Sequence, residues 1–537
     1  MSRALHLSRG ALSEPLLWPL GAAVLLLFLV PSTIAALLPL AVVGCIGLRR
    51  PALAVAVIPV TFPFHDVTSP GTHLHLDRTM LLIIVALLAA AGHVALAALP
   101  AFLPIVGKWS AVVVEETWTR EQMRAFPAGI MAYFWRPGTW AALSLFLLGL
   151  FSLLTVADRD FRANSIREFR TTILFPVLLF LLAAALLEGG ERRPIMFRIM
   201  VLGVDTVIIS GVIIALIAYV QFAQGGGLDV EGVRRVRSTF HHPNELALYL
   251  GRIVPITAAY VAFGPRGWRA WAYLGATVIM LGGVGLSFSR GGYIGVAAAL
   301  LVLVCASGTR RLIAGYLTTG AVVGFAAFAT GIERFTSLIH PASGSDGLRL
   351  NIWASAARML RDHPAWGVGL DQFVSQYPRY IMPDAWQERF TSHPHNIILD
   401  FYVRLGLLGL AWLIFTLVPF MVRGWRTAMR RRAEGDRLRF ALAIGATGAL
   451  VDLTVHGMVD QDYFLHMLAY GFWFAILIIR VCAFEGPIDD AGVPAGPRVA
   501  YGAAQPRPAD PLLSGAATAR STKAAPPSPL AGGRHPV

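Results

Sequence analysis

Apolar runs of about 15 to 25 residues recur along most of the chain, and this recurrence restricts the fold more than any single motif does. A helix made from such a run satisfies its own backbone hydrogen bonds and shows only hydrocarbon outward, so a chain built of many runs belongs in a bilayer. Spans are expected near Leu16–Val30, Ile34–Leu48, Ala52–Phe64, Leu81–Leu99, Trp140–Val156, Thr171–Leu187 and Val201–Phe222. Further spans are expected near Glu245–Phe263, Trp271–Phe288, Tyr293–Ala306, Ile313–Thr330, Phe401–Val422, Phe440–His456 and Phe464–Val481. The fold class is therefore an all-α polytopic membrane protein with about 12 to 14 transmembrane helices. The first three runs are short enough for one pair to be re-entrant. The run after Pro15 continues without a small-residue cleavage site, so it is expected to stay as a span.

Composition agrees. Hydrophobic residues make up 56% of the 537 positions and charged residues 14%, with a mean hydropathy of +0.62. A soluble domain carries about 25% charged residues. The formal charge of +14 does not point to nucleic acid, because the arginines gather in short loops between apolar runs, which is the positive-inside pattern. Cys45, Cys305 and Cys482 all lie in apolar segments without metal-ligand spacing, so neither a disulfide framework nor a zinc site is expected.

The basic loops alternate. Arg49 and Arg50, the segment Lys108–Arg136, Glu191–Arg198, Arg266 with Arg269, Arg310 with Arg311, and Arg423–Arg439 would face the cytoplasm, as would both termini. His65–Arg78, Asp158–Arg170, Ala223–Asn244, Ser289–Gly292, Gly331–Asp400 and Gly457–Tyr463 would then face outward. Residues 1–482 form the transmembrane unit in this reading. The Pro-, Ala- and Gly-rich tail at 483–537 is expected to be disordered in the cytoplasm.

Three outward segments carry cationic or imidazole groups that the positive-inside bias disfavours there. Arg234, Arg235, Arg237, His241, His242 and Asn244 crowd ahead of a helix opened by Pro243, where free backbone N–H groups suit an anion or a simple solvated cap. Arg252, about two turns inside that helix, has a structural alternative as the partner of Glu245. Arg290 sits in the tight turn Ser289-Arg-Gly-Gly, as an anion ligand or as a snorkelling side chain. The long loop at 331–400 holds an expected amphipathic helix with Ile352, Trp353, Ala356, Met359 and Leu360 on one face. It ends in Thr391-Ser-His-Pro-His-Asn, where His393 and His395 meet an apolar helix carrying Asp400 and Arg404. A loop of this length is far beyond ordinary connections, which favours a functional part.

Taken in order, these pieces resemble the O-antigen ligase and polymerase family of bacterial inner-membrane glycosyltransferases. The resemblance rests on Arg235 to Asn244, Ser289 to Gly291, Arg349 with Trp353 ahead of Pro364 and Gly367-Val-Gly, and His395-Asn396 followed by Gly406-Leu-Leu-Gly. It covers about Val233 to Trp412; the first half matches only as a stack of helices. The resemblance implies an enzyme at the periplasmic face of the bacterial inner membrane. Such an enzyme moves a glycan from undecaprenyl pyrophosphate to a hydroxyl of the lipid A core (a ligase) or of another repeat unit (a polymerase), without a metal or other cofactor. Arginine suits a pyrophosphate leaving group because its charge is permanent and its donors are forked. Arg235, Arg237, Arg290 and Arg349 are the candidates, with Arg170 and Asn244 as further substrate-binding positions. Imidazole suits acceptance of a hydroxyl proton near neutrality, which makes His395 the candidate base. His393, Asn396, Asp400 and Arg404 are assigned supporting roles. Arg404 stands where many relatives have an acid; it would pair with Asp400 or add a cation to the donor site.

Rival readings are open to test. Asp158 with Asp160, and more weakly Asp460 with Asp462, have the form of a metal-binding carboxylate pair. The clustered histidines have no recognised metal-ligand spacing. A transporter of lipid-linked glycans would use similar cations, although nearer mid-membrane than these.

Overall fold

The computed structural model describes residues 15–30, 33–64, 76–102, 133–187, 193–230, 232–329, 344–382 and 389–484. All but the first two residues of the tail expected at 483–537, most of the basic segment Lys108–Arg136 and the start of the long loop lie outside the described residues.

Helices dominate. They are α1 (Leu17–Leu29), α2 (Thr33–Arg49), α3 (Pro51–Val57, continued as a tighter turn to Phe64), α4 (Arg78–Phe102) and α5 (Thr139–Leu154). Next come α6 (Arg162–Leu187), α7 (Arg193–Ala223), α8 (Pro243–Phe263), α9 (Trp268–Ser287), α10 (Arg290–Ala306) and α11 (Arg310–Ala329). Last are α12 (Gly344–Asp362), α13 (Ile397–Ala433), α14 (Arg437–Gly457) and α15 (His466–Ala483). Eight of the described helices (α4, α6, α7, α8, α9, α13, α14 and α15) are long and apolar enough to cross a membrane. Shorter apolar helices include α1, α3, α5 and α10.

Several boundaries differ from the sequence reading for local reasons. The expected outer loop Asp158–Arg170 is mostly the first turns of α6, which pass through a π turn at Phe169–Leu174. Asp158 caps its own turn by accepting from the Asp160 amide at 3.0 Å. The stretch before Pro243 is not simply loop, because Leu228–Val230 pairs antiparallel with Val233–Arg235. The span expected at Phe401–Val422 runs on to Ala433, so Arg430, Arg431 and Arg432 belong to its last turn, where cations oppose the helix dipole favourably. Arg431 donates to Cys482 O at 2.9 Å and Arg432 to Ala306 O at 2.5 Å. The C-terminal ends of α10, α13 and α15 therefore gather at one end of the bundle, opposite the His395 end of α13.

The centre of the bundle is α8, α10, α13 and α14, with α14 buried along nearly its whole length. Between helices in lipid, attraction depends on close packing of small residues. Gly445 illustrates it: a β-carbon there would stand 2.7 Å from the Ile256 backbone of α8. The amphipathic α12 forms as expected, burying Ile352, Ala356, Met359 and Leu360 with Val368, Phe373, Tyr377 and Val403 in a second, smaller core. That core seats the described part of the long loop on the first turns of α13.

Candidate functional site

His395 is presented by a conformation that few side chains tolerate. Its φ is +50°, a left-handed setting that costs a non-glycine residue about 1–2 kcal/mol. The surroundings hold it there. Asn396 caps α13 by accepting from the Ile398 and Leu399 amides at 3.0 and 3.1 Å, and its amide donates to Met458 O at 2.9 Å. Trp353 of α12 donates its indole N–H to Pro394 O at 2.9 Å. The histidine turn is thus tied both to α12 and to the loop that follows α14.

That loop carries Asp460, which is buried. Its Oδ1 lies 3.0 Å from His395 Nδ1 and accepts from the Gln461 amide at 2.9 Å. Its Oδ2 accepts from the Asn244 side chain at the start of α8. Asn244 in turn accepts from the buried Arg235 guanidinium at 2.5 Å, and Arg235 Nε donates to Ser287 O at 2.8 Å. Arg349 of α12 stands 4.0 Å from Asp460 with its side chain 20% exposed. Burial alone would raise Asp460. The hydrogen bond and charge of His395, with the charges of Arg349 and His456, outweigh it and hold this carboxyl well below the usual carboxylate range.

The carboxylate at Nδ1 fixes the chemistry of the imidazole. In the neutral imidazole, donation to this carboxylate puts the proton on Nδ1 and the lone pair on Nε2, where it can accept a proton. His395's side chain is 27% exposed, enough for a partner to reach it. His393 Nε2 lies 3.2 Å from His395 Nδ1, with the rings edge to face at 4.1 Å. Desolvation, followed by the charge of His395, holds His393 well below the ordinary imidazole range. Among the described residues, His393, His395 and Asp460 also bring three potential metal-ligand atoms within 4.8 Å of one another.

The remaining expected residues are spread over several elements. Arg290 is buried at the first position of α10, behind the capping Ser289, whose hydroxyl lies 3.4 Å from His456 Nε2 of α14. Arg237 donates to His241 O at 3.2 Å on the same hairpin-to-helix connection. Arg170 is half-buried in the π turn of α6. Asp400 and Arg404 belong to a different cluster, described below. Arg252 pairs with Asp462 and donates to Leu468 O at 3.0 Å, not with Glu245, whose carboxylate accepts from the His241 amide. Burial pushes Asp462 up to about 6 against the pull of Arg252.

Asp460 is the residue the sequence reading did not place here. It stood in a short turn between two spans, paired with Asp462 as if both were solvated. The available signal was topological: an acid on a short outward turn shares its side of the membrane with His395 and costs free energy there unless it has a partner.

Fold and site together define a multi-pass α-helical membrane protein with an imidazole–carboxylate centre at one end of its bundle. Residues 275–414 match the family described as O-Antigen ligase, so over this segment the chain is similar to that family. The matched segment contains Arg290, Arg349, His393, His395 and Arg404, whereas Arg235, Asn244 and Asp460 lie outside it. The match supports a glycosyltransferase-like activity of the ligase or polymerase type in polysaccharide assembly, with lipid-linked glycan and polysaccharide partners in a membrane. A search of curated proteins found no match.

Proposed function

We propose that this protein transfers a glycan from undecaprenyl pyrophosphate to an acceptor hydroxyl at the periplasmic face of the bacterial inner membrane, as an O-antigen ligase. The observation that carries the proposal is the His395 Nδ1 contact with Asp460 at 3.0 Å, which leaves Nε2 as a proton acceptor.

In the proposed reaction the acceptor hydroxyl gives its proton to His395 Nε2 while its oxygen forms the new bond to the anomeric carbon. The bond from that carbon to the pyrophosphate oxygen breaks, and the electron pair leaves with the pyrophosphate. Asp460 stabilises the imidazolium that forms. Arg349 and Arg290 are assigned to the departing phosphates, with Arg237 and Arg170 as outer contacts. Arg235 is assigned to holding Asn244, and through it Asp460, because its guanidinium is buried and engaged. Positive-inside alternation supports the periplasmic placement. No metal or cofactor is required in this scheme.

The test is transfer by purified protein from an undecaprenyl-pyrophosphate-linked oligosaccharide to lipid A core. Product should form in the presence of EDTA and vanish in His395→Ala. Full activity of that variant would remove His395 as the base, and strict dependence on added magnesium or zinc would move the chemistry to the His393, His395 and Asp460 ligand atoms. Joining of donor repeats to each other would identify a polymerase, the alternative within the family. Movement of donor with no glycosidic bond made would identify a transporter.

A further inference from the structure

Helix α13 is broken near its start. Gly406 has φ +69° and ψ −165°, so Ile397–Leu405 is a separate piece of about two and a half turns ahead of the long span. An unbroken helix would bond the Leu407 amide to Val403 O. Here both groups are taken by the middle of the long loop. Leu407 N donates to Ala365 O at 3.1 Å, and Val368 N donates to Val403 O at 2.7 Å. The insertion needs two glycines. A β-carbon on Gly406 would stand 2.3 Å from Ala365 O, and one on Gly367 would stand 2.2 Å from Val403 O.

A polar network surrounds the inserted segment. Arg404 is 1% exposed and donates through Nε to both oxygens of Glu168 on α6, at 3.1 and 3.0 Å. It also forms an ion pair with Asp400 one turn earlier and lies 4.8 Å from the centre of the Phe464 ring. The Arg404 carbonyl accepts from Ser152 of α5 at 3.0 Å. Glu168 accepts from the Asp371 amide at 2.5 Å, and Ser165 donates to Leu370 O at 2.6 Å. Buried Gln372 donates to Ser165 at 2.8 Å and accepts from the Asp158 amide at 3.0 Å.

We propose that Arg404 and Glu168 are positioning residues that set the angle of the Ile397–Leu405 piece, and so hold His395 at the proper distance from Asp460. The inference rests on the base reading of His395. The break at Gly406 removes the ordinary means by which a long span would fix its own first turns. At one end of the piece stand the Asn396 bond to Met458 O and the Trp353 bond to Pro394 O. At the other stands the Arg404 clamp. Without the clamp the piece pivots about Asn396, and His395 leaves its contact with Asp460. The inserted 365–368 segment makes the long loop, which carries Arg349, move with the histidine.

A displacement of about 1 Å at a reacting group costs roughly 100-fold in rate. The decisive variant is Glu168→Gln with Asp400→Asn and Arg404→Met, which removes the charges together and leaves no lone buried ion. In nanodiscs, with an undecaprenyl-pyrophosphate-linked oligosaccharide and lipid A core, kcat should fall about 10- to 100-fold while the donor KM stays within about threefold. Hydrogen exchange of the amides at 365–372 should rise at least about 10-fold, as expected of a segment released from its docking. Arg404→Lys keeps the charge without the fork, should recover part of the rate, and carries the same comparison if the triple variant does not fold. A wild-type kcat in the triple variant would overturn the proposal, and so would unchanged exchange at 365–372. The exchange measurement needs no turnover, so it judges the clamp separately from the base assignment, which His395→Ala judges.

Discussion

Asp460→Asn is the sharpest probe of the candidate site. Three donors converge on the two Asp460 oxygens: His395 Nδ1, the Asn244 amide and the Gln461 N–H. Asparagine has one oxygen and one NH2 group in the same space, so one of the two side-chain donors must face a donor. If the oxygen stays with Asn244, the NH2 points at His395 Nδ1 and favours the tautomer protonated on Nε2, which cannot accept a proton. If the oxygen stays with His395, two amide NH2 groups oppose each other, and the support from Arg235 through Asn244 is strained. In either arrangement the imidazolium formed during transfer loses its counter-charge. Loss of the orienting carboxylate in an analogous histidine–aspartate arrangement lowers kcat about 10⁴-fold. With a partly exposed imidazole and water able to screen it, a drop of about 10²- to 10⁴-fold is expected here, or roughly 3 to 5.5 kcal/mol of transition-state stabilisation. The assay is single-turnover transfer from the lipid-linked oligosaccharide, with circular dichroism and melting to establish folding. A folded Asp460→Asn protein within about threefold of the wild-type rate would refute the tautomer argument.

Other consequences are measurable. Arg252→Met should destabilise the protein by about 3–5 kcal/mol, because it leaves Asp462 buried without its cation, whereas the paired change with Asp462→Asn should recover much of that. Equal melting temperatures for the single and paired variants would contradict it. Gly367→Ala should lower stability by about 2 kcal/mol or more, since φ is +68° and the new methyl meets Val403 O, and denaturant titration would show it. The folded pKa of His393 lies below its unfolded value near 6.5, so the unfolded chain binds the extra proton first. Its contribution is therefore complete above about pH 6.5 and is lost as pH falls below it. Melting temperature should decline on acidification through this range, and less steeply in His393→Gln.

The sequence alone determined the architecture. Runs too apolar and too long for water leave the chain one economical way to satisfy its backbone, and arginine alternation orders the helix ends. The same physics predicted α12, because the spacing of Ile352, Ala356, Met359 and Leu360 is a property of the chain. His395 was legible because a titratable group at a bilayer edge needs a reason to be there. Its partner was not, since Asp460 lies 65 positions away and reads locally as a solvated turn. Arg404 had two candidate roles, and only its neighbours separate them. Asp400 one turn earlier was foreseeable from helical spacing, whereas Glu168, 236 positions away, was not. The break at Gly406 is likewise a tertiary decision. Glycine permits that backbone, but the broken turn persists because a distant loop supplies the donor and the acceptor that the helix gives up. Helices follow from local periodicity, whereas charge pairs between distant segments depend on which segments the fold brings together.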